Sequence, residues 1–414
     1  MGKHYTAAII GGGSAGLCAA VFLARRGVDV IVFEKAARVG RKLIATGNGT
    51  CNITNLHADE NYYHGAPASF VKTVLQRFSP QDALRFFSTI GVECTVRENG
   101  RVYPLCGQAS AVLDCLRLEL DSLGVEEHCG EAAMEVQKRG NNFTLRTNAD
   151  DYTCRNLLVC AGGAASPSLG GGNDGYSLLI SMGHTKTPLF PSVVQVKTDT
   201  AFVKAVKGIR VDGEICWQLN GKKTESQRGE ILFTEYGISG PAVMQISRLV
   251  GDWERRKKGE LTACINLLPD YAENELISLL SDRLRLNGSD QRTTEDYLTG
   301  LLNKRVGQTI VRVAEIPLTK LCRDLTQQEV LRIARIIQNW QIPVTGTQGM
   351  GGAQVTAGGI TATEFDPTTL MSRLVPGLFA AGEVLDVDGD CGGFNLQWAW
   401  ASAFTAANAI GELV

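Results

Sequence analysis

Tyr5-Thr6-Ala7-Ala8-Ile9-Ile10-Gly11-Gly12-Gly13-Ser14-Ala15-Gly16 is the stretch that decides the fold of this 414-residue chain. Its apolar half predicts a short buried strand, and its second half has the spacing G-x-G-x-x-G and runs into a helical pattern from Leu17 to Arg26. Gly11 allows a tight turn, Gly13 lets a pyrophosphate approach the backbone, and Gly16 lets helix and strand pack closely. The free N–H groups and the dipole at the helix start favour phosphates. A bound dinucleotide is therefore expected at this turn.

A second strand-like run, Val28 to Phe33, follows the predicted helix and ends at Glu34, eighteen residues beyond Gly16. A carboxylate in that position accepts hydrogen bonds from a ribose 2′-OH. The order along the chain is strand, glycine turn, helix, second strand and acid. This order predicts a Rossmann-type unit rather than an isolated glycine-rich turn.

The other end of the chain indicates which dinucleotide binds. Leu378 to Gly382 reads as an apolar strand, Glu383 follows it, and a Gly392-Gly393 turn precedes an alanine-rich helical run, Trp398 to Ile410. A nicotinamide-binding domain does not need so distant a contact, whereas an extended FAD does, because its ribityl chain and ring need partners away from the adenosine. Glu383 is placed to bond ribityl hydroxyls, and the glycine turn would aim N–H groups and a helix N-terminus at the flavin.

Three further stretches complete the pattern: Gly40 to Asn55, Ala161 to Gly163 followed by Gly172 to Tyr176, and Leu232 to Pro241. With the two ends, they make the chain resemble the BaiN-type (bile-acid-reductase-like) family of NAD(P)/FAD-dependent oxidoreductases, which are two-dinucleotide-fold flavoproteins. The resemblance spans nearly the full length. The family usually has Arg where this chain has Thr50, so no role is carried over to that position.

The resemblance implies that the segment from Gly47 to Asn52 wraps the flavin. From the motifs and the resemblance together, the residues expected to bind FAD are Gly11, Gly13, Ser14, Ala15, Gly16, Glu34, Lys35, Arg41, Lys42, Gly47, Asn48, Gly49, Asn52, Ala133, Ala161, Gly162, Gly382, Glu383, Gly393, Phe394, Asn395 and Leu396.

The composition is that of an ordinary soluble α/β protein, with 44% hydrophobic and 20% charged residues and a net charge of −2. This balance does not favour nucleic acid or an acidic membrane as a partner, and Lys and Arg cluster only at Arg255 to Lys258. No run approaches the roughly 20 apolar residues of a membrane span, and no signal peptide is recognisable, so a cytoplasmic protein is expected. Twelve cysteines without a C-x-x-C pair read as reduced thiols, and the five histidines lack metal-ligand spacing.

The pattern predicts an α/β fold in which a Rossmann-like FAD-binding domain is built from both chain ends. Pro188 and Pro191 mark the first boundary, and apolar positions at helical spacing predict helices that include Thr294 to Leu302. The expected segments are 1–190 and 342–414 for the FAD-binding domain, 191–268 for an inserted β domain, and 269–341 for an inserted helical subdomain.

Chemistry follows from the cofactor, because a flavin takes hydride from reduced nicotinamide and passes it to a substrate. No second strand–G-x-G-x-x-G–helix unit is present, so NAD(P)H is expected as a transient electron donor. The resemblance implies reduction of a C=C bond conjugated to a carbonyl in an apolar, steroid- or bile-acid-like molecule. Tyr236 is the first candidate for a proton donor or carbonyl anchor, and Arg101 for holding a carboxylate-bearing substrate. A buried tyrosine at a domain boundary and a solvated hairpin arginine are the competing interpretations.

Two other function classes stay open at this point. One is a flavoprotein that serves as a redox sensor or electron carrier. The other is a tRNA-modifying flavoprotein, which would need a more basic face than this charge balance indicates.

Overall fold

The computed structural model describes residues 3–286 and 291–414. The chain forms two compact units: unit 1 is Met1–Ser192 with Ala353–Val414, and unit 2 is Val193–Gly352. Within the described ranges, no helix combines the length and the apolar character that crossing a membrane requires.

Unit 1 contains most of the strands and the two longest buried helices. Its strands are β1 (His4–Ile10), β2 (Val30–Glu34), β3 (Thr54–Asn55), β4 (Tyr63–Gly65), β5 (Cys94–Val96), β6 (Arg101–Pro104), β7 (Glu126–Cys129), β8 (Ala133–Arg139), β9 (Asn142–Thr147), β10 (Asp151–Val159), β11 (Phe190–Ser192), β19 (Val355–Ala357), β20 (Leu378–Ala380) and β21 (Val387–Gly389). Its helices are α1 (Ser14–Ala24), α2 (Arg41–Ala45), α3 (Ala68–Arg77), α4 (Pro80–Thr89), α5 (Ala109–Ser122), α6 (Asp174–Ser181) and α13 (Phe394–Glu412).

The central sheet of unit 1 has the order β7-β2-β1-β10-β9-β8, with β20 also paired to β10. The strands β7, β2, β1, β10 and β20 run parallel, so their carboxyl ends meet along one edge. In such sheets, ligands bind outside the carboxyl ends of the strands. The predicted Rossmann-like α/β architecture is confirmed, and the glycine turns after β1, β10 and β20 share this edge.

Helix α1 packs against β1 and β2 of the sheet, and α13 packs against α1. Leu17, Cys18 and Val21 of α1 are fully buried, and so are Trp400, Ala403 and Ala406 of α13. Small residues on both helices let them pack against each other closely. This core positions the N-termini of α1 and α13.

Unit 2 combines strands and helices around its own core. Its strands are β12 (Val196–Thr198), β13 (Arg210–Leu219), β14 (Lys222–Lys223), β15 (Gln227–Phe233), β16 (Gly237–Ser239), β17 (Leu261–Asn266) and β18 (Trp340–Thr347). Its helices are α7 (Pro241–Gln245), α8 (Arg248–Arg256), α9 (Glu273–Arg283), α10 (Lys304–Val313), α11 (Gln327–Gln338) and α12 (Gly349–Gly352).

The strands of unit 2 form one antiparallel sheet in the order β14-β13-β15-β16-β12-β18-β17, and an extra pairing of β13 with β17 closes it into a ring. Trp217 of the sheet and Ile333 of α11 belong to one hydrophobic cluster. The segments expected separately as 191–268 and 269–341 therefore share a core. The expected return to the first domain at residue 342 falls inside β18, and the chain re-enters unit 1 at Ala353.

The helix predicted from Thr294 to Leu302 is absent, and the chain there forms turns. The Thr294 hydroxyl donates to the carbonyl of Pro317 over 2.6 Å, and its backbone N–H bonds the carbonyl of Lys320. These long-range bonds compete with helical ones and hold the segment in turns.

Candidate functional site

The glycines of the turn after β1 have two different roles. Two of them are required by the fold, and the third leaves space beside the backbone. Gly11 has φ +109°, and a Cβ there would clash with the carbonyl of Cys160. A Cβ on Gly16 would overlap the carbonyl oxygen of Gly11. Gly13 differs, since its φ is −86° and a Cβ would meet nothing within 4 Å. The space beside Gly13 is a cradle that a side chain would fill.

Helix α1 begins at this cradle without a cap. Gly13 is its N-cap and supplies no side-chain hydrogen bond. The first backbone N–H groups of a helix have no intrahelical partner and attract anions. The position and the free space together fit the pyrophosphate of a dinucleotide.

Glu34 ends β2 beside the same turn and braces it. Its carboxylate accepts the backbone N–H of Gly12 over 2.9 Å and that of Ala36 over 2.8 Å. An ionised carboxylate has about four lone-pair sites, so both oxygens can still accept a ribose hydroxyl. Ala133, at the start of β8, follows Glu131, whose backbone N–H bonds the carbonyl of Glu34. The predicted adenosine-end residues therefore lie together at the end of β2.

Two basic side chains predicted to bind FAD in this region are paired with other residues of the protein. Lys35 Nζ lies 2.5 Å from Asp174 Oδ2 at the start of α6. Arg41 donates to the carbonyl of Ser168 over 2.7 Å. Both bonds tie the segment after β2 to the loop that follows β10.

Glu383, directly after β20, meets groups from distant parts of the sequence. Its Oε2 lies 2.6 Å from Lys42 Nζ, and its Oε1 accepts the backbone N–H of Thr356 over 2.8 Å. A Cβ on Gly163 would lie 2.6 Å from Oε1, so only glycine allows the loop after β10 to pass this close. Gly382 approaches the start of α1, where an added Cβ would lie 3.0 Å from the Cβ of Ala15. The two ends of the chain thus converge on one edge of the sheet, as predicted.

The start of α13 also lacks a side-chain cap. Gly393 is its N-cap in a left-handed conformation with φ +102°, and it makes no side-chain cap bond. Asn395 holds the turn in place, since its Oδ1 accepts the Gly389 N–H over 2.8 Å and its Nδ2 donates to the Gly389 carbonyl over 2.7 Å. Tyr63 donates its hydroxyl to the carbonyl of Phe394 over 2.9 Å. These contacts hold the start of α13 in place, and with it the direction of the first backbone N–H groups, Phe394 to Leu396, which have no partner within the helix.

An orphaned polar atom lies next to this helix start. Asn52 is 9% exposed, and its Oδ1 is buried without a hydrogen-bond partner among the described residues. The same atom lies 2.9 Å from the position of a Cβ on Gly393. Buried acceptors are almost always paired, so an unpaired one indicates a ligand. The Gly13 cradle, two uncapped helices and this amide fit the pyrophosphate and ring ends of FAD.

The loop before Asn52 has the backbone of a segment built around glycine. Gly47 and Asn48 are both left-handed, with φ 57° and 53°, and Gly49 has φ 85°. Thr50 closes the loop by donating its hydroxyl to the carbonyl of Gly47 over 2.5 Å. This local bond gives Thr50 a structural role in place of a cation.

Cys51 lies in this loop but is chemically shielded. It is fully buried, and burial raises the pKa of its thiol from 9.0 to about 12. Because the thiolate is the nucleophile, we expect no alkylation of Cys51 by iodoacetamide in the native protein at neutral pH, while the exposed Cys106 is modified. Peptide mass mapping after a short labelling pulse measures both, and labelling of Cys51 at the rate of Cys106 would contradict the burial argument.

The two candidate catalytic residues lie in different units. Arg101 begins β6 in unit 1, where a Cβ on Gly392 would lie 3.5 Å from its Nε. Tyr236 lies in the turn between β15 and β16 of unit 2 and is half-buried, so its role stays a prediction. Sequence reasoning missed Tyr103, whose Cε1 lies 3.5 Å from the position of a Cβ on Gly47. Its alternation with Arg101 along β6 was the available signal.

Comparisons with known proteins agree with this geometry. Residues 5–409 match the family described as "HI0933-like protein Rossmann domain". A relative from Clostridium scindens named 3-dehydro-bile acid delta(4,6)-reductase is 34% identical over 407 residues, covering 98% of each chain. A Haemophilus influenzae relative named ribosomal RNA dihydrouridine synthase is 32% identical over 418 residues, covering 99% of each chain.

A solved structure shows the same fold over the full length. The 3-ketosteroid delta1-dehydrogenase of Sterolibacterium denitrificans is 12% identical, covers all of both chains, and superposes with a TM-score of 0.55. At this identity the likeness concerns the fold. The family match and the near-complete coverage by the relatives lead to one assignment: the chain belongs to the HI0933-like family of FAD-binding Rossmann-fold proteins and is an oxidoreductase.

Proposed function

We propose that this protein uses NAD(P)H to reduce a C=C bond conjugated to a carbonyl, in an apolar molecule of the steroid or bile-acid kind. The relative named as a bile-acid reductase supports both the reaction and the substrate. The relative named as a dihydrouridine synthase supports the reaction class, since the double bond of uracil is also conjugated to a carbonyl. Relatives of both names therefore share one chemistry.

The observation that carries the proposal is the paired placement of uncapped α13 and the orphaned Asn52 Oδ1. When bound, the flavin supplies the hydride for the reduction. The N–H groups at the start of α13 would stabilise negative charge on the pyrimidine edge of the ring, because a helix N-terminus carries partial positive charge. Asn52 would accept a hydrogen bond from a ring N–H.

The remaining predicted contacts divide along the length of the cofactor. Gly13 and the first N–H groups of α1 would hold the pyrophosphate, and Glu34 the adenosine ribose. Glu383, oriented by Lys42, would bond the ribityl hydroxyls. The glycine-rich stretch Gly349–Gly352 forms a one-turn helix and does not begin a long helix of the kind that follows the glycine turn of a dinucleotide-binding unit. This supports NAD(P)H as a donor that binds transiently.

An RNA substrate is the second candidate, favoured by the name of the relative from Haemophilus influenzae. The near-neutral net charge of −2 supports the small molecule, since binding a polyanion by phosphate contacts requires a basic surface.

Anaerobic absorbance of the purified protein at about 450 nm tests the proposal. We expect NADH or NADPH to bleach the flavin band, and a conjugated steroid ketone to restore it. Uridine-containing RNA, added in place of the ketone, separates the second candidate. Reoxidation by RNA alone would overturn the small-molecule assignment, and a yellow protein that no nicotinamide bleaches would favour a redox sensor or electron carrier.

A further inference from the structure

The β5–β6 hairpin lies beside the segments assigned to the flavin. Strand β6 pairs with β3 in the register Thr54↔Val102 and Asn55↔Arg101. Because β3 follows the Gly47–Asn52 loop directly, the hairpin is hydrogen-bonded to the strand that carries this loop. The pairing fixes which residues of β6 can face the site.

Alternation along β6 gives it one buried and one accessible face. Val102 and Pro104 are buried, whereas Arg101 and Tyr103 are half-buried on the opposite face. Arg101 Nε lies 3.5 Å from the Cβ position of Gly392, and Tyr103 Cε1 lies 3.5 Å from that of Gly47. One face of a single strand therefore spans both glycine segments.

Two further contacts hold this face in place. Asn55 Nδ2 donates to the carbonyl of Gly392 over 3.0 Å and to that of Asn99 in the hairpin turn over 3.1 Å. The guanidinium carbon of Arg97 lies 4.5 Å from the centroid of the Tyr103 ring. A cation over an aromatic face is attractive, so the ring is fixed and has positive charge beside it.

Arg101 is the charged group that this face presents beside Gly392. Throughout the described ranges, its half-buried guanidinium makes no hydrogen bond or ion pair with another residue. A cation held against the Gly392-Gly393 turn, with no ion pair among the described residues, suits an electron-rich oxygen of a ligand. A carbonyl that becomes an enolate during reduction is such an oxygen.

We propose that Arg101 and Tyr103 form the polar end of the substrate site and act on a conjugated carbonyl; this rests on the proposed function. Arg101 donates hydrogen bonds to the carbonyl oxygen. With hydride supplied to the β carbon by a bound reduced flavin, the electron pair of the C=C bond would reside in an enolate that Arg101 stabilises. The O–H bond of Tyr103 then breaks as the C–H bond at the α carbon forms, and the phenolate recovers a proton from water.

The test uses Tyr103→Phe and Arg101→Gln, with Tyr271→Phe as the matched control on an exposed tyrosine. Flavin content and the rate of bleaching by NAD(P)H should equal those of the wild type in all three. Reoxidation of the bleached Tyr103→Phe protein by a conjugated ketone should slow about 10²- to 10⁴-fold. Arg101→Gln should raise the Kd of the ketone, read from the perturbed spectrum of the oxidised flavin, while leaving that of the corresponding carbonyl-free hydrocarbon unchanged.

The outcomes separate this inference from the proposed function. If no conjugated carbonyl reoxidises the wild-type protein, the proposed function fails and the inference falls with it. If the wild type turns over and Tyr103→Phe reoxidises at the wild-type rate, only the inference is overturned. A large loss in Tyr236→Phe with none in Tyr103→Phe would move the proton donor to unit 2 and also overturn it.

Discussion

Gly13→Val should yield a folded but colourless protein. The Cβ position of Gly13 meets no protein atom within 4 Å, and its φ of −86° suits any L-residue, so the polypeptide tolerates the side chain. The isopropyl group would instead occupy the space in which the pyrophosphate approaches the N–H groups of α1. We expect at least a 100-fold loss of FAD affinity, or about 3 kcal/mol.

Gly16→Ala is the contrasting variant in the same motif. A Cβ there would overlap the carbonyl oxygen of Gly11, so the packing of α1 on β1 must change and folding itself should suffer. Circular dichroism and thermal unfolding of both proteins, with flavin absorbance, distinguish the two effects. A yellow Gly13→Val protein at wild-type flavin content would refute the pyrophosphate assignment.

The glycine motif predicts local structure well, because its glycines act on neighbouring residues. The unit β1–turn–α1–β2 was predictable because each part is adjacent in sequence, from Tyr5 to Glu34, and each glycine has a local reason. The C-terminal half of the site was predictable in the same way. Glu383 follows a strand, and Gly393 precedes a helix, so both motifs define their own geometry.

Unit 2 was not predictable in the same way, because long-range pairings decide it. Strand β18 (Trp340–Thr347) pairs with both β12 and β17, and β13 pairs with β17 to close the ring. Local periodicity gives no sign of these partners, so the β-rich and helical segments looked separate. The helix prediction for Thr294 to Leu302 was wrong for a related reason. Thr294 bonds Pro317 and Lys320, and these partners lie too far along the chain for the local sequence pattern to show them.

The residues proposed to act on the substrate lie between these two cases in how far the sequence predicts them. Arg101 and Tyr103 alternate with Val102 and Pro104, so the sequence shows that they share a face. It does not show that this face meets Gly47 and Gly392, which depends on the pairing of β6 with β3. The role of Tyr236, in a glycine-containing loop of unit 2, stays a prediction from sequence, whereas Tyr103 is proposed from the placement of β6.

Gly393→Ala should destabilise unit 1 and release the flavin. Its φ of +102° is unfavourable for any side chain, and a Cβ would lie 2.5 Å from the carbonyl oxygen of Thr54 and 2.9 Å from Asn52 Oδ1. The strain and the clash must be relieved by moving the start of α13, where the ring end of the cofactor is expected. We expect a loss of about 2–5 kcal/mol in stability, combining roughly 1–2 for the conformation and 1–3 for overpacking.

Gly183→Ala isolates the conformational part of this effect. Gly183 has a similar φ of +95°, lies after α6, and would place its Cβ in open space. It should lose about 1–2 kcal/mol and keep its flavin. Thermal unfolding combined with flavin content after dialysis measures both variants. Equal flavin content in the two proteins would mean that the start of α13 does not contact the cofactor, because the same backbone strain would then have the same consequence at both positions.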